Sequence, residues 1–175
     1  MTLNELNALP GVTAEPEAAT HEYVYNHTMI RVKNLEHALD FYTRVLGFTL
    51  LEKKDFPDAR FSLYFLALIA DKSQIPSDPV ARHQWRKSMP GILELTHNHG
   101  TEHDPDFAYH SGNSEPRGFG HLCVAVPDIR AACARFEALG VPFQKRLSDG
   151  SMKDIAFIRD PDGYWVEIIQ FTPVV

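Results

Sequence analysis

Pro116-Arg117-Gly118-Phe119-Gly120-His121-Leu122-Cys123-Val124-Ala125-Val126 is the stretch whose reading decides the fold. Two glycines lead into a short apolar run that opens on His121, and such a run reads as a buried strand. The same order of residue types stands much earlier, in His27-Thr28-Met29-Ile30-Arg31-Val32. Each histidine-led strand is followed by a helical pattern. Each half then closes on a strand with one acidic residue among hydrophobes: Ile92-Leu93-Glu94-Leu95 and Trp165-Val166-Glu167-Ile168. The chain therefore reads as a repeat whose halves each run from His to Glu, with the four side chains meeting at one metal.

The intervening residues support the repeat. After Val32, Asn34 suits an N-cap. Leu35, Ala38, Leu39, Tyr42, Val45 and Leu46 recur at the helical period, and Gly47 stands where a C′ glycine belongs. Strands are expected over 48–53, 61–70 and 91–96, with a turn at Phe56-Pro57-Asp58. In the second half Asp128 caps a helix striped by Ile129, Ala132, Cys133, Phe136 and Leu139, and Gly140 stops it. Strands over 142–146, 155–159 and 164–171 follow, broken by the turns at Ser148-Asp149-Gly150 and Asp160-Pro161-Asp162-Gly163.

His27 and Glu94 lie 67 residues apart, His121 and Glu167 only 46. The excess of 21 has a source in 71–90, a polar stretch carrying Pro76, Pro79 and Pro90. The expected organisation is an arm over 1–22, a first βαβββ module over 23–99 with the insertion 71–90, a linker over 100–115 and a second βαβββ module over 116–175. A module of about 50 residues buries too little surface to stand alone, so the two should pair. The expected class is α+β, with paired βαβββ modules forming one curved mixed sheet.

Composition narrows the function. The net charge of −6 argues against a nucleic-acid partner. No run approaches the ~18 apolar residues of a membrane span, and the first 21 residues lack the basic start and apolar core of a secretory signal. A cytoplasmic home is expected. Cys123 and Cys133 make no disulfide framework and read as two small, buried, reduced hydrophobes.

His27, Glu94, His121 and Glu167 are the candidate metal ligands. Any one of them alone would be an ordinary polar residue on a strand. As a set they are harder to dismiss, because each glutamate sits between large apolar neighbours and a buried carboxylate needs a partner. Two imidazoles and two carboxylates suit a divalent transition metal. A rival cluster, His97, His99 and His103, lies at the edge of the polar linker, where surface histidines are common. Gly118-Phe119-Gly120 precedes a strand and so is no dinucleotide fingerprint. There is no Walker loop and no Gly-x-Ser-x-Gly elbow.

Several longer segments carry a resemblance. They are the His27–Val32 run, Leu39-Asp40-Phe41-Tyr42-Thr43-Arg44-Val45-Leu46-Gly47-Phe48, Phe61-Ser62-Leu63-Tyr64-Phe65-Leu66, and Leu93-Glu94-Leu95-Thr96-His97-Asn98. Gly112-Asn113-Ser114-Glu115-Pro116-Arg117-Gly118-Phe119-Gly120-His121 and Asp160-Pro161-Asp162-Gly163-Tyr164-Trp165-Val166-Glu167 complete the set. Together they resemble glyoxalase I, the lactoylglutathione lyase family of the vicinal oxygen chelate superfamily, over about residues 23–171. The resemblance implies isomerisation of the hemithioacetal of methylglyoxal and glutathione, the cosubstrate, to S-D-lactoylglutathione through an enediolate. It implies Glu167 as the catalytic base, with Glu94 acting on the opposite face. Arg31, Asn98 and Arg117 match glutathione contacts, and Lys145 and Lys153 match basic positions of the family. Phe56, Leu63, Phe65, Met152 and Phe157 are the hydrophobic wall expected beside the substrate.

The resemblance also implies a homodimer with shared sites, His27 and Glu94 from one subunit and His121 and Glu167 from the other. His27 resembles the nickel-preferring short form of the family. The arm and the insertion resemble the zinc-using long form. Zn(II) is expected over Ni(II), because the frame that fixes ligand spacing should outweigh one ligand. Two other readings belong to the same superfamily. An extradiol-type dioxygenase needs two histidines and one carboxylate on Fe(II), and the fourth ligand candidate speaks against it. A metal-free ligand-sequestering module has no need of the four residues together.

Overall fold

The computed structural model describes residues 1–171. Strands β1 (His27–Val32), β2 (Thr49–Phe56), β3 (Phe61–Ala67) and β4 (Ile92–Asn98) form one four-stranded sheet in the order β1-β4-β3-β2. Strands β5 (His121–Val126), β6 (Phe143–Lys145), β7 (Ile155–Arg159) and β8 (Trp165–Gln170) repeat it as β5-β8-β7-β6. In each sheet the first strand runs parallel to the last, and the remaining pairs are antiparallel. The α+β class and the paired βαβββ order therefore stand. The strands join into two mixed sheets, one per half, and among the described residues no ladder connects them.

The helices follow their sequence signals. Helix α1 (Leu3–Asn7) is a single exposed turn of the arm, held by a capping box between Thr2 and Glu5. The apolar stripe after Asn34 becomes α2 (Leu35–Asp40), which widens into a π-helical turn over Phe41–Val45. Gly47 ends it at φ 82°, a left-handed conformation that favours glycine. The insertion holds α3 (Pro79–Lys87), started by Asp78, whose carboxylate accepts from Ala81 N at 2.8 Å. Helix α4 (Ile129–Ala138) starts at Asp128 in the same way. Strand ends differ from expectation by one to three residues. β2 runs on through Phe56, and the turn falls one step later, closed by Arg60 at φ 56°.

Strand alternation divides each sheet into two faces. Ile30, Val32, Tyr64, Leu66, Leu93 and Leu95 turn one way and join Val124, Ile158, Val166 and Ile168 of the second sheet in a common core with α2 and α4. A single core thus holds the halves together, and the opposite face of the first sheet carries a second, smaller apolar cluster of Leu51, Phe65, Ala67 and Ile92 beside its polar side chains.

Polar bonds fix how the halves meet. Arg135 of α4 donates to Val45 O at 2.6 Å and Arg44 O at 2.8 Å, satisfying carbonyls at the end of the π-helical turn that extends α2. Lys33 N donates to Asp162 Oδ1 at 3.0 Å. The fully buried Tyr42 hydroxyl donates to Asp160 Oδ2 at 2.8 Å, while Tyr164 N and Asp162 N donate to its other oxygen. The Asp160–Gly163 turn of the second half is therefore gripped by the first.

Burial pushes the Asp160 carboxyl up to about 7, against the pull of these donors, and the neighbouring Asp162 charge pushes the same way. Its folded value is raised, so the folded chain holds a proton that the unfolded chain releases near pH 4. The contribution is largest below the unfolded value and is lost as pH rises toward 7. Asp160→Asn should therefore remove a downward slope in stability between about pH 4 and 7. Urea unfolding of both proteins across that range measures it. Parallel curves would exclude a raised Asp160.

Candidate metal centre and active site

The parallel register of each half sets the candidate centre. His27 is paired with Ile92 and Met29 with Glu94, so His27 and Glu94 sit two residues out of step on one face. That offset brings His27 Nε2 to 3.1 Å from Glu94 Oε2. Phe65, opposite Glu94 on β3, presents its ring edge-on to His27, the centroids 6.1 Å apart. The second half repeats all of this. Cys123 is paired with Glu167, His121 Nε2 lies 3.3 Å from Glu167 Oε2, and the Phe157 ring meets His121 edge-on at 5.3 Å.

Exposure is unequal within each pair. The histidine side chains are 40% and 42% exposed, the glutamates 11% and 19%. The carboxylates are set into the sheet, and the imidazoles stand at the open rim. Two nitrogen and two oxygen donors, with each glutamate desolvated, fit a divalent transition metal. Among the described residues, however, no three His, Cys, Asp or Glu side chains are gathered to hold a metal ion. One chain holds two separate His–Glu pairs rather than the four-ligand cluster that the repeat suggested.

The residues expected to contact substrate fall on or beside the same faces. Arg31 is exposed on β1, in step with His27, and Asn98 is exposed on β4, in step with Glu94. Arg117 is exposed in the approach to β5 and pairs with Glu115 at 2.9 Å. Phe56 stacks on Phe61, centroids 4.7 Å apart, at the end of the first sheet beyond Glu94. Leu63 is partly buried, and Phe65 is almost wholly so, because the guanidinium of Arg86 covers its ring at 3.7 Å. Met152 is exposed in the loop before β7. Lys145 and Lys153 have internal partners: Lys145 Nζ donates to Met152 O at 2.6 Å and Ile155 O at 2.8 Å, and Lys153 Nζ to Ser148 O at 2.5 Å. Both lysines thereby tie down the loop that carries Met152.

Sequence reasoning missed several participants. Cys123 is exposed, not buried, since it shares the face of His121 and Glu167. Partial burial and the Glu167 carboxylate push its thiol up to about 11, so it stays neutral and is a poor nucleophile. Cys133 is buried as expected. The insertion, read only as polar sequence, roofs the first sheet. Arg86 is buried and donates to Glu52 Oε2 at 2.6 Å, and His83 lies 2.9 Å from the other oxygen. The apolar Ile75, Trp85 and Met89 within 71–90 were the available signal, since they pack on Leu51, Phe65 and Ile92. Asn26, next to His27, also had no signal in the sequence.

The rival histidines stay neighbours, the His97 and His99 rings 5.8 Å apart and His103 Nε2 3.5 Å from Glu102 Oε1, but each takes an oxygen of its own rather than turning to a common point. His97 Nε2 lies 2.9 Å from Glu102 Oε2, and His99 Nε2 lies 2.8 Å from the Ser62 hydroxyl. Backbone N–H donors and His97 hold Glu102 down at about 2, a structural carboxylate that fixes the start of the linker.

Comparison with known proteins identifies the family. Residues 24–168 match the family model described as the Glyoxalase/Bleomycin resistance protein/Dioxygenase superfamily. A lactoylglutathione lyase of Pseudomonas putida is 70% identical over 99% of this chain and 100% of its own length. One from Pseudomonas aeruginosa is 56% identical over 92% of this chain and 90% of its own. Among solved structures, the trypanothione-dependent glyoxalase I of Leishmania major superposes with a TM-score of 0.61 at 29% identity, covering 85% of this chain and 86% of that one. A duplicated βαβββ frame, with one His–Glu pair on the open face of each sheet and full-length identity of this degree, places the chain in the glyoxalase/bleomycin resistance protein/dioxygenase superfamily and, within it, in the family of the lactoylglutathione lyases.

Proposed function

We propose that this lactoylglutathione lyase isomerises the methylglyoxal–glutathione hemithioacetal at a metal site built by two copies of the chain, His27 and Glu94 from one and His121 and Glu167 from the other. The observation that carries this reading is the His–Glu pair in each half, while among the described residues no three His, Cys, Asp or Glu side chains are gathered to hold a metal ion. A half-site with two donors is too poor for a catalytic metal, which takes three or more protein ligands. A two-fold axis supplies the missing donors twice over. Residues on the open faces are then covered, and each glutamate keeps its desolvated position.

When bound, the divalent metal supplies Lewis-acid stabilisation of the negative charge that develops on the substrate oxygens. The chain's own groups do the rest. Glu167, set into β8 and shielded by Phe157, takes the proton from the hemithioacetal carbon and returns a proton to the neighbouring carbon. Glu94 holds the equivalent position on the opposite face. Arg31, Arg117 and Asn98 are the exposed polar groups that hold the glutathione carboxylates and amides. Phe56, Leu63, Met152 and Phe157 give the apolar wall for the aldehyde end. Lys145 and Lys153 act on this wall through the loop they fix. The two free cysteines and the glutathione substrate suit a reducing compartment, and we place the reaction in the cytoplasm.

Glu167→Gln should keep the fold and lower turnover by about 10²–10⁴-fold, because an amide cannot accept the proton. The check is thioester absorbance after mixing protein, glutathione and methylglyoxal, with a chelator-treated control. Near wild-type turnover in the metal-loaded variant would exclude Glu167 as the base.

Mixing His27→Ala and His121→Ala proteins tests sharing. Each alone should be inactive. After subunit exchange, half of the dimers are mixed and each has one intact site, so activity should return to roughly a quarter of wild type. Demonstrated exchange without activity would place each site within one chain.

For the metal, the all-nitrogen-and-oxygen set admits both Zn(II) and Ni(II). Our choice is Zn(II), because the insertion braces the His27 side of the site. Chelator-stripped protein reloaded with each metal at matched occupancy should turn over faster with zinc. Strong activity with nickel and almost none with zinc would reverse the choice.

A further inference from the structure

His27 is the more elaborately held of the two histidines. Its Nδ1 lies 2.8 Å from Asn26 Oδ1. The other end of the Asn26 amide reaches into the insertion: Nδ2 lies 3.0 Å from Arg86 O, 3.1 Å from Lys87 O and 2.8 Å from Met89 O. These are carbonyls at and just past the C-terminus of α3, which have no intrahelical donor to spare. Three acceptors around one atom require the NH₂ group there, so the amide orientation follows from the network. Oδ1 is then fixed toward His27. An amide oxygen only accepts, so His27 Nδ1 donates to it, and Nε2, which faces Glu94 Oε2 at 3.1 Å, is the nitrogen left for a metal shared with that carboxylate.

We infer that Asn26 is the positioning residue that locks His27 as an Nε2 ligand and couples the metal half-site to the insertion helix. The inference rests on the metal reading above. It adds what sets the tautomer and the ring angle, and it gives the insertion a task at the centre rather than at the rim. The backbone contributes too: Ile92 N donates to Asn26 O at 2.9 Å, so Asn26 is held by β4 on one side and α3 on the other. Arg86, whose carbonyl Asn26 holds, stacks on the same Phe65 ring that meets His27 edge-on. Two routes therefore run from α3 to one imidazole. His121 has the matching Phe157 and Glu167, but among the described residues no amide reaches its Nδ1. The two halves of the repeat thus bring a braced and an unbraced imidazole to the centre, and the braced one belongs to the half with the insertion.

A neutral imidazole that donates from one nitrogen to a fixed acceptor presents the other to a metal without reorganisation, and loss of such a partner typically weakens metal binding about 10–100-fold. The first test needs no variant of Asn26. Nitrogen-15 spectra of zinc-loaded, histidine-labelled wild type, with His27 assigned against His27→Gln, should show His27 with its proton on Nδ1 and its Nε2 on the metal. An Nε2–H form would overturn the inference. The second test is competition of Zn(II) with a chromophoric chelator. Asn26→Ala should mix the tautomers and weaken zinc binding about 10–100-fold. Asn26→Asp keeps the acceptor for His27 and loses the donor to α3. It should lower the melting temperature like Asn26→Ala while keeping the Nδ1–H form. Zinc affinity of Asn26→Ala within twofold of wild type would show that Asn26 only braces the fold. Wild type that binds no zinc in the chelator competition would overturn the metal reading instead.

Discussion

The parallel pairing of the first and last strand of each half is the constraint on which the rest depends. A histidine at the start of β1 or β5 and a glutamate two steps further along its neighbour fall on one face only in this register. A slip by one residue would send one of them into the core. Burial of the alternate residues prevents the slip, since Ile30, Val32, Leu93 and Leu95 in one sheet and Val124, Val166 and Ile168 in the other fill a common core. The apolar face thus fixes the polar face. The same pleat that buries the hydrophobes holds each imidazole within about 3 Å of its carboxylate.

The core joins the halves through their helices and not through a continuous sheet. The Tyr42–Asp160 bond and the Arg135 contacts to the end of α2 set the angle between them. On the proposed reading each half brings one His–Glu pair at an open rim, and a second copy of the chain supplies the other pair.

The insertion breaks the symmetry of the repeat. It is present in one half only, and it packs Trp85, Met89 and Ile75 on the first sheet while Arg86 covers Phe65. A buried guanidinium on an aromatic ring is stable here because Glu52 neutralises it. The second sheet has no such roof, and its corresponding loop is held instead by Lys145 and Lys153. Two half-sites of equal chemistry are therefore braced by different means.

The sequence by itself determined the repeat, the four candidate ligands and the class of fold. The reason is that strand and helix periods, the glycines after each helix and the His-to-Glu order are all local or nearly so. Residues 155–159 could be read as a strand to the residue for the same reason. Strand ends near Phe56 and the π-helical turn at Phe41–Val45 were not legible, because neighbours across the fold decide them, whereas the helix at Pro79–Lys87 was passed over although Asp78 and Pro79 mark its start. Only the tertiary structure decided that the four candidate ligands stand as two pairs, that Cys123 shares the face of Glu167, and that Lys145 holds a loop. Only it showed Asn26 bridging 60 residues of chain to reach Arg86 O. A hydrogen bond across that separation leaves no period and no spacing in the sequence. It exists because two strands and a helix, each fixed by its own apolar face, bring one amide between an imidazole and a helix end.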